Sequence, residues 1–146
     1  FTAPEPIFSQ VLQYRRDGGV SSLSAAIVYE FFREEMWIHL KKINTIVKEK
    51  RDLMFNFLGQ FPESFEWFSR PKGGLFIWVK LPDRTDMKAC EQLAESRGID
   101  YAPGKSFHVQ NQNVPFLRLA FAFGTLEDIR EGIPKLAQCI EETQQG

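Results

Sequence analysis

The sequence predicts an α+β fold: a two-layer domain with a three- to four-stranded, largely antiparallel sheet, helices on one face, and a long helix leading into it. Two observations carry this expectation. Apolar residues recur at helical spacing through the first part of the chain, and after Pro62 they gather into short β-rich runs bounded by turn residues. The strands form a run broken by one helix instead of alternating regularly with helices, which fits an α+β layer better than a doubly wound sheet.

The elements follow in order. Pro4 to Arg16 reads as a short helix, with Ile7, Val11 and Tyr14 at helical spacing and Asp17-Gly18-Gly19 as its stop. Ser21 or Ser22 offers an N-cap for a second helix through Leu23, Ile27, Val28 and Phe31, and Glu34-Glu35 marks a bend. Met36, Leu40, Ile43, Val47, Met54 and Phe57 then define a helix over 36–58, ended by Gly59 and Pro62. At about 1.5 Å per residue it runs roughly 33 Å, the span of a small domain. A helix of that length runs along a surface or bridges two domains.

Phe65 to Phe68 is a short candidate strand, Pro71 to Gly74 a turn, and Leu75 to Leu81 a nearly continuous apolar strand. Thr85 is the expected cap of a helix carrying Met87, Cys90, Leu93 and Ala94, with Gly98 at its end. Ile99 to Ala102 reads as a brief strand, Val109 to Pro115 as loop, and Phe116 to Phe123 as a second clear strand. Thr125, with Glu127 and Asp128 in the first turn, opens a terminal helix through Ile129, Ile133, Leu136 and Ile140. Residues 141–146 are polar and expected to fray.

The 146 residues suit one compact domain, or a domain with an extended arm: 1–35 as helical arm, 36–146 as the domain with its linking helix 36–58. Eighteen basic against 19 acidic residues give no clustered positive charge, so no nucleic-acid partner is expected. No apolar run approaches the roughly 20 residues that span a membrane, and no secretory leader is visible. Cys90 and Cys139 are too few and too far apart for a disulfide framework or a zinc site. They read as free thiols of a reducing, cytoplasmic compartment. His39 and His108 form no ligand pair at helical spacing, so no metal is expected. The chain opens on Phe1 instead of methionine, the expected sign of a processed or truncated polypeptide.

One residue stands out chemically. Arg118 lies mid-strand in Phe116-Leu117-Arg118-Leu119-Ala120-Phe121-Ala122-Phe123. Strand parity puts Leu117, Leu119, Phe121 and Phe123 on the helix-facing side, and Arg118 with Phe116, Ala120 and Ala122 on a less greasy one. A guanidinium keeps its charge and needs water, a carboxylate or a phosphate. An exposed or salt-bridged strand arginine satisfies that requirement, and so does a bidentate site for a substrate carboxylate. Gly73-Gly74 and Pro103-Gly104 read as turns. No phosphate loop and no nucleophile–base–acid set is present.

Taken in order, Arg70-Pro71-Lys72-Gly73-Gly74-Leu75-Phe76-Ile77-Trp78, Leu81-Pro82, Ala102-Pro103-Gly104 with Phe107, and Leu117-Arg118-Leu119-Ala120-Phe121-Ala122 resemble the C-terminal, small domain of class I/II, fold type I aminotransferases. The tail Glu131-Gly132-Ile133 with Leu136-Ala137, and the upstream Ser21 to Ala25 and Lys50-Arg51-Asp52 segments, fit the same pattern.

The resemblance implies pyridoxal phosphate as cofactor and amino-group transfer between an amino acid and a 2-oxo acid. It implies a full-length homodimer and Arg118 as the grip on the substrate α-carboxylate. Phe76 matches a position near the substrate side chain, and Val20 to Ser24 a segment approaching the neighbouring subunit's site. The family's Schiff-base lysine sits in a Ser-x-x-Lys setting that no lysine here shares; Lys105 matches a variable position. This stretch is therefore expected to hold no catalytic and no identified cofactor-binding residue, and to be inactive alone. Two alternatives remain: an aminotransferase-like ligand-sensing domain of a transcription regulator, and a non-catalytic binding domain in which Arg118 makes a salt bridge.

Overall fold

A computed structural model describes residues 3–14, 19–110 and 112–144. The expected stop at Asp17-Gly18 and the extreme C-terminus lie outside the described residues. The chain divides into two compact units, Phe1–Leu40 and Lys41–Gly146.

The first unit is helical. α1 spans Glu5–Tyr14 and α2 spans Ser22–Glu34, the latter capped by the Ser21 hydroxyl accepting from the Ser24 amide. Neither helix buries a residue within this chain. The unit boundary falls inside α3, Met36–Leu58, a 23-residue helix with the bounds its apolar periodicity predicts.

The second unit is the α+β domain. β1 (Trp67–Phe68), β2 (Phe76–Lys80), β3 (Ala102–Pro103) and β4 (Phe116–Ala120) form one sheet in the order β1-β2-β4-β3, every pairing antiparallel. β2 and β4 are the central pair, in register from Phe76↔Ala120 to Lys80↔Phe116. Their alternate residues Ile77, Val79, Leu117 and Leu119 are buried in one core with Met54 and Leu58 of α3. Cys90 and Ala94 of α4 (Met87–Ser96), and Ile133, Leu136 and Ile140 of α5 (Leu126–Glu142), complete it. The helices thus cover one face, and the opposite face is left for chemistry.

Capping explains the helix starts. The Thr125 hydroxyl accepts from the Asp128 amide at 3.1 Å while the Asp128 carboxylate accepts from the Thr125 amide at 2.7 Å, a reciprocal capping box. Those bonds hold the Asp128 carboxyl below its ordinary pKa, the backbone amide of Thr125 being the larger cause. Gly98 follows α4 at φ +75, where a side chain would be strained.

Five sequence expectations are corrected. Asp86, not Thr85, caps α4, accepting from the Lys88 and Ala89 amides at 3.0 Å; Thr85 is buried and bridges to Gln144. β4 ends at Ala120, so strand parity fails beyond Phe121 and Phe123 is 95% exposed instead of facing the core. Phe65 precedes the first strand and packs in the core. The brief strand near 99–102 is Ala102–Pro103, and Gly104–Phe107 is one turn of 3-10 helix where a simple turn is expected. Pro134 lies inside α5, depriving the Arg130 carbonyl of its helical donor on an exposed side where water can serve.

Candidate functional site

Arg118 sits at the centre of the helix-free face. In β4 it pairs with Trp78 of β2 on one side and Ala102 of β3 on the other. Its strand neighbours Leu117 and Leu119 point into the core, so the pleat forces the guanidinium outward.

Alanines share that side as parity suggests, Ala102 and Ala120 lining it with Arg118, but phenyl rings flank the charge as well. The guanidinium carbon lies 3.9 Å from the Phe76 ring centroid and 4.8 Å from that of Phe107. Trp78 meets Phe107 edge-on at 5.4 Å and stacks on Phe116 at 5.6 Å. The two phenyl rings therefore hold the charge by cation–π contact, each worth about 0.5–2 kcal/mol in general, and rings accept none of its hydrogen bonds well. Arg118 Nε is buried with no hydrogen-bond partner, and among the described residues no carboxylate lies within ion-pair distance of Arg118. The salt-bridged arginine foreseen as one possibility is not what these residues form. The group is fixed, charged and in need of an acceptor, which is what a carboxylate oxygen supplies.

Two turns place the rings. Phe107 ends the 3-10 turn, which closes on β4 because residue 104 is glycine: a Cβ there would meet the Phe116 carbonyl oxygen at 2.7 Å. Phe76 opens β2 after Gly74, whose φ is +88. That turn is tied to α3 by Arg51, whose guanidinium donates to the Lys72 carbonyl at 2.8 Å and the Pro71 carbonyl at 3.4 Å. Arg51 is charge-balanced by Asp52 at 2.6 Å. Sequence reading singled out Arg118 and Phe76, which the fold brings together. It quoted Phe107 and Arg51 only as motif residues, because their roles arise from contacts between distant segments.

Beside Arg118 the face opens into a recess of about 210 Å³ lined by Asp100, Tyr101, Ala102, Arg118 and Ala120. Other candidates are quiet. Lys105 is paired with Glu91 at 2.6 Å. Lys80 is held as ammonium, its pKa raised first by its hydrogen bond to Glu66 and also by Asp83. Cys90 and Cys139 are buried free thiols, and burial pushes the Cys90 thiol and the Tyr101 hydroxyl upward, away from reactivity. Among the described residues no group of three or more metal-ligating side chains gathers, and no helix is long and apolar enough to cross a membrane.

A pyridoxal phosphate cradle does not fit these residues. An imine-forming lysine must be free to react, whereas Lys80 and Lys105, on and beside this face, are both ion-paired to carboxylates. What the face offers is a guanidinium between two rings with its Nε unbonded.

Comparison with known proteins places the chain in a family. The sequence profile of Aminotransferase class I and II matches residues 1–136, and the chain belongs to that family. Aromatic-amino-acid aminotransferase 1 of Thermococcus litoralis is 37% identical over 105 residues, covering 71% of this chain and 25% of that protein. The crystal structure of Pyrococcus horikoshii kynurenine aminotransferase superposes with a TM-score of 0.72 at 33% identity, over 80% of this chain and 29% of that one. The uncharacterized HTH-type transcriptional regulator YdfD of Bacillus subtilis is 30% identical over 142 residues, 95% of this chain and 29% of that protein. The chain thus spans under a third of the length of these relatives.

Proposed function

We propose that this chain is the C-terminal, carboxylate-gripping domain of a pyridoxal-phosphate-dependent aminotransferase that moves an amino group between an amino acid and a 2-oxo acid. The observation that carries the reading is Arg118 itself: charged, wedged between Phe76 and Phe107, and with no acceptor for its buried Nε. A guanidinium held this way keeps its orientation between the rings while its Nη groups, which are not buried, meet a carboxylate. It thereby fixes the position of the substrate's α-carbon, and such orientation is a contribution to rate. Phe76, 41% exposed beside the guanidinium, is available to the substrate side chain.

In this reading the cofactor supplies the electron sink, and its lysine and phosphate ligands come from the rest of the enzyme. The described residues are then inactive alone. Residues 1–35 serve as an arm and 36–58 as the linking helix, and the enzyme works as a cytoplasmic homodimer, with Val20 to Ser24 facing the neighbouring subunit. Exposure of Val20 (80%) and Leu23 (72%) leaves that segment free for such a contact.

The test uses the full-length enzyme. Arg118→Gln is expected to lower kcat/KM for amino acid and 2-oxo acid alike by about 100-fold, since removing one partner of a close charge pair costs about 2–5 kcal/mol. The visible absorption of the bound cofactor should be unchanged. Unaltered kcat/KM would refute the assignment.

The likeness to a regulator over 95% of the chain favours a second reading, a ligand-sensing domain built on the same fold. The two part on turnover. A full-length protein that carries a DNA-binding module upstream and binds cofactor, yet transfers no amino group, is the sensor.

A further inference from the structure

One of the two rings beside Arg118 is itself held by a third. Trp78 lies in β2 directly opposite Arg118. Its strand neighbours Ile77 and Val79 are buried in the core, so the pleat sends the indole to the open face. There it meets the Phe107 ring edge-on, centroids 5.4 Å apart and planes at 86°, and lies nearly flat against Phe116 at 5.6 Å and 13°. Phe107 in turn lies 4.8 Å from the guanidinium carbon of Arg118. The contacts form a chain that runs from Phe116 through Trp78 and Phe107 to the charge.

The members of that chain differ in how firmly the backbone holds them. Phe116, Trp78 and Arg118 belong to the central strand pair, five residues in register over a buried core. Phe107 ends a single turn of 3-10 helix and is 49% exposed. Lys105 ties that turn to Glu91 of α4, on another element from the ring's own neighbours. The ring contacts of Phe107 are with Trp78 and Arg118. An edge-to-face contact favours one setting of the two rings, because the positive edge of one is drawn to the negative face of the other. Stacking on Phe116 restricts the indole in its turn.

We infer that Trp78 is a positioning residue for Arg118 that acts through Phe107: it holds the phenyl ring against the guanidinium and so keeps the charge aimed. The inference rests on the reading of Arg118 as a carboxylate grip and names what sets the aim of that grip. Phe76 lies closer, at 3.9 Å, but one ring alone leaves a guanidinium free to slide across its face, and the second ring opposes that movement. Loss of the aim costs rate while the charge itself stays in place. About fivefold is the scale of one aromatic pair.

Two readouts separate this role from simple support of the fold. In the chain, NOEs from each phenyl ring to the Arg118 δ-protons report the two contacts one by one. Trp78→Val should weaken the Phe107–Arg118 NOE and keep the Phe76–Arg118 NOE, and Trp78→Phe, which retains an aromatic edge, should restore it. Trp78→Thr, also a strand former, takes the place of Trp78→Val if the latter does not fold. In the full-length enzyme, Trp78→Val and Phe107→Leu should each lower kcat/KM for amino acid and 2-oxo acid about fivefold, and the double variant should lose no more than either alone. A Phe107–Arg118 NOE that survives loss of the indole, or losses that multiply in the double variant, would overturn the positioning role while leaving Arg118 standing. If Arg118→Gln leaves kcat/KM unaltered, the grip itself fails, and this inference fails with it.

Discussion

The two faces of β4 differ in what they ask of the chain. On one, Leu117 and Leu119 and the following Phe121 are shut away from water against three helices. On the other, Arg118 keeps its charge between two phenyl rings and beside an open recess. Successive residues of β4 therefore alternate between the buried core and the open face. The comparison teaches that a core can lend rigidity to a site without sharing a side chain with it: the backbone that Leu117 and Leu119 lock is the backbone that aims Arg118.

Substitutions on the two faces should separate these duties, and the largest effect belongs to the core. Leu117→Ala is expected to cost about 2–5 kcal/mol in urea unfolding, from lost burial plus the cavity left behind. A loss under about 1 kcal/mol would mean that the core face is softer than its packing implies. Gly104→Ala comes next. Its Cβ must push against the Phe116 carbonyl, at a cost of about 1–3 kcal/mol. It should also lift Phe107 off Arg118, which NMR would register as loss of the ring-current shift at the Arg118 side-chain protons.

Thr125→Ala removes one half of the capping box and is expected to cost about 1 kcal/mol of thermal stability. The other half is pH-dependent. Folding lowers the Asp128 pKa, so its contribution is complete above the ordinary carboxylate range and is lost as pH falls through the lowered folded value. Asp128→Asn should accordingly flatten the acid side of the stability profile and leave its neutral side nearly unmoved in slope. Arg118→Gln should have the smallest effect on stability, under about 1 kcal/mol, since loss of its two cation–π contacts is offset by removal of a buried, unbonded Nε. A large loss there would blur the two faces into one.

How much of this was legible in the sequence follows the range of the interactions. Elements set by near neighbours were readable: the Ser21 cap, the Thr125–Asp128 box, the end of α4 at Gly98 and the bounds of α3 all depend on residues within a few positions. Arg118 was readable because charge inside a strand of apolar alternation needs an account. What failed depends on distant segments. Thr85 looks like a cap until Gln144, far along the chain, claims it, and β4 stops at Ala120 where the pairing with β2 runs out. Phe107 reaches Arg118 only through the 3-10 turn, so no local pattern marks it. The family resemblance supplied the proposed role of Arg118 but not its phenyl clamp.

The central claim is that Arg118 is a preformed carboxylate grip, and its own side-chain Nε–H reports on that most directly. That proton should start upfield, shielded by Phe76 and Phe107. It should move downfield and saturate as pyruvate is added to the chain, and the resonance should be missing in Arg118→Gln. A resonance that stays put as the carboxylate is added, while the rest of the spectrum remains folded, would contradict the account.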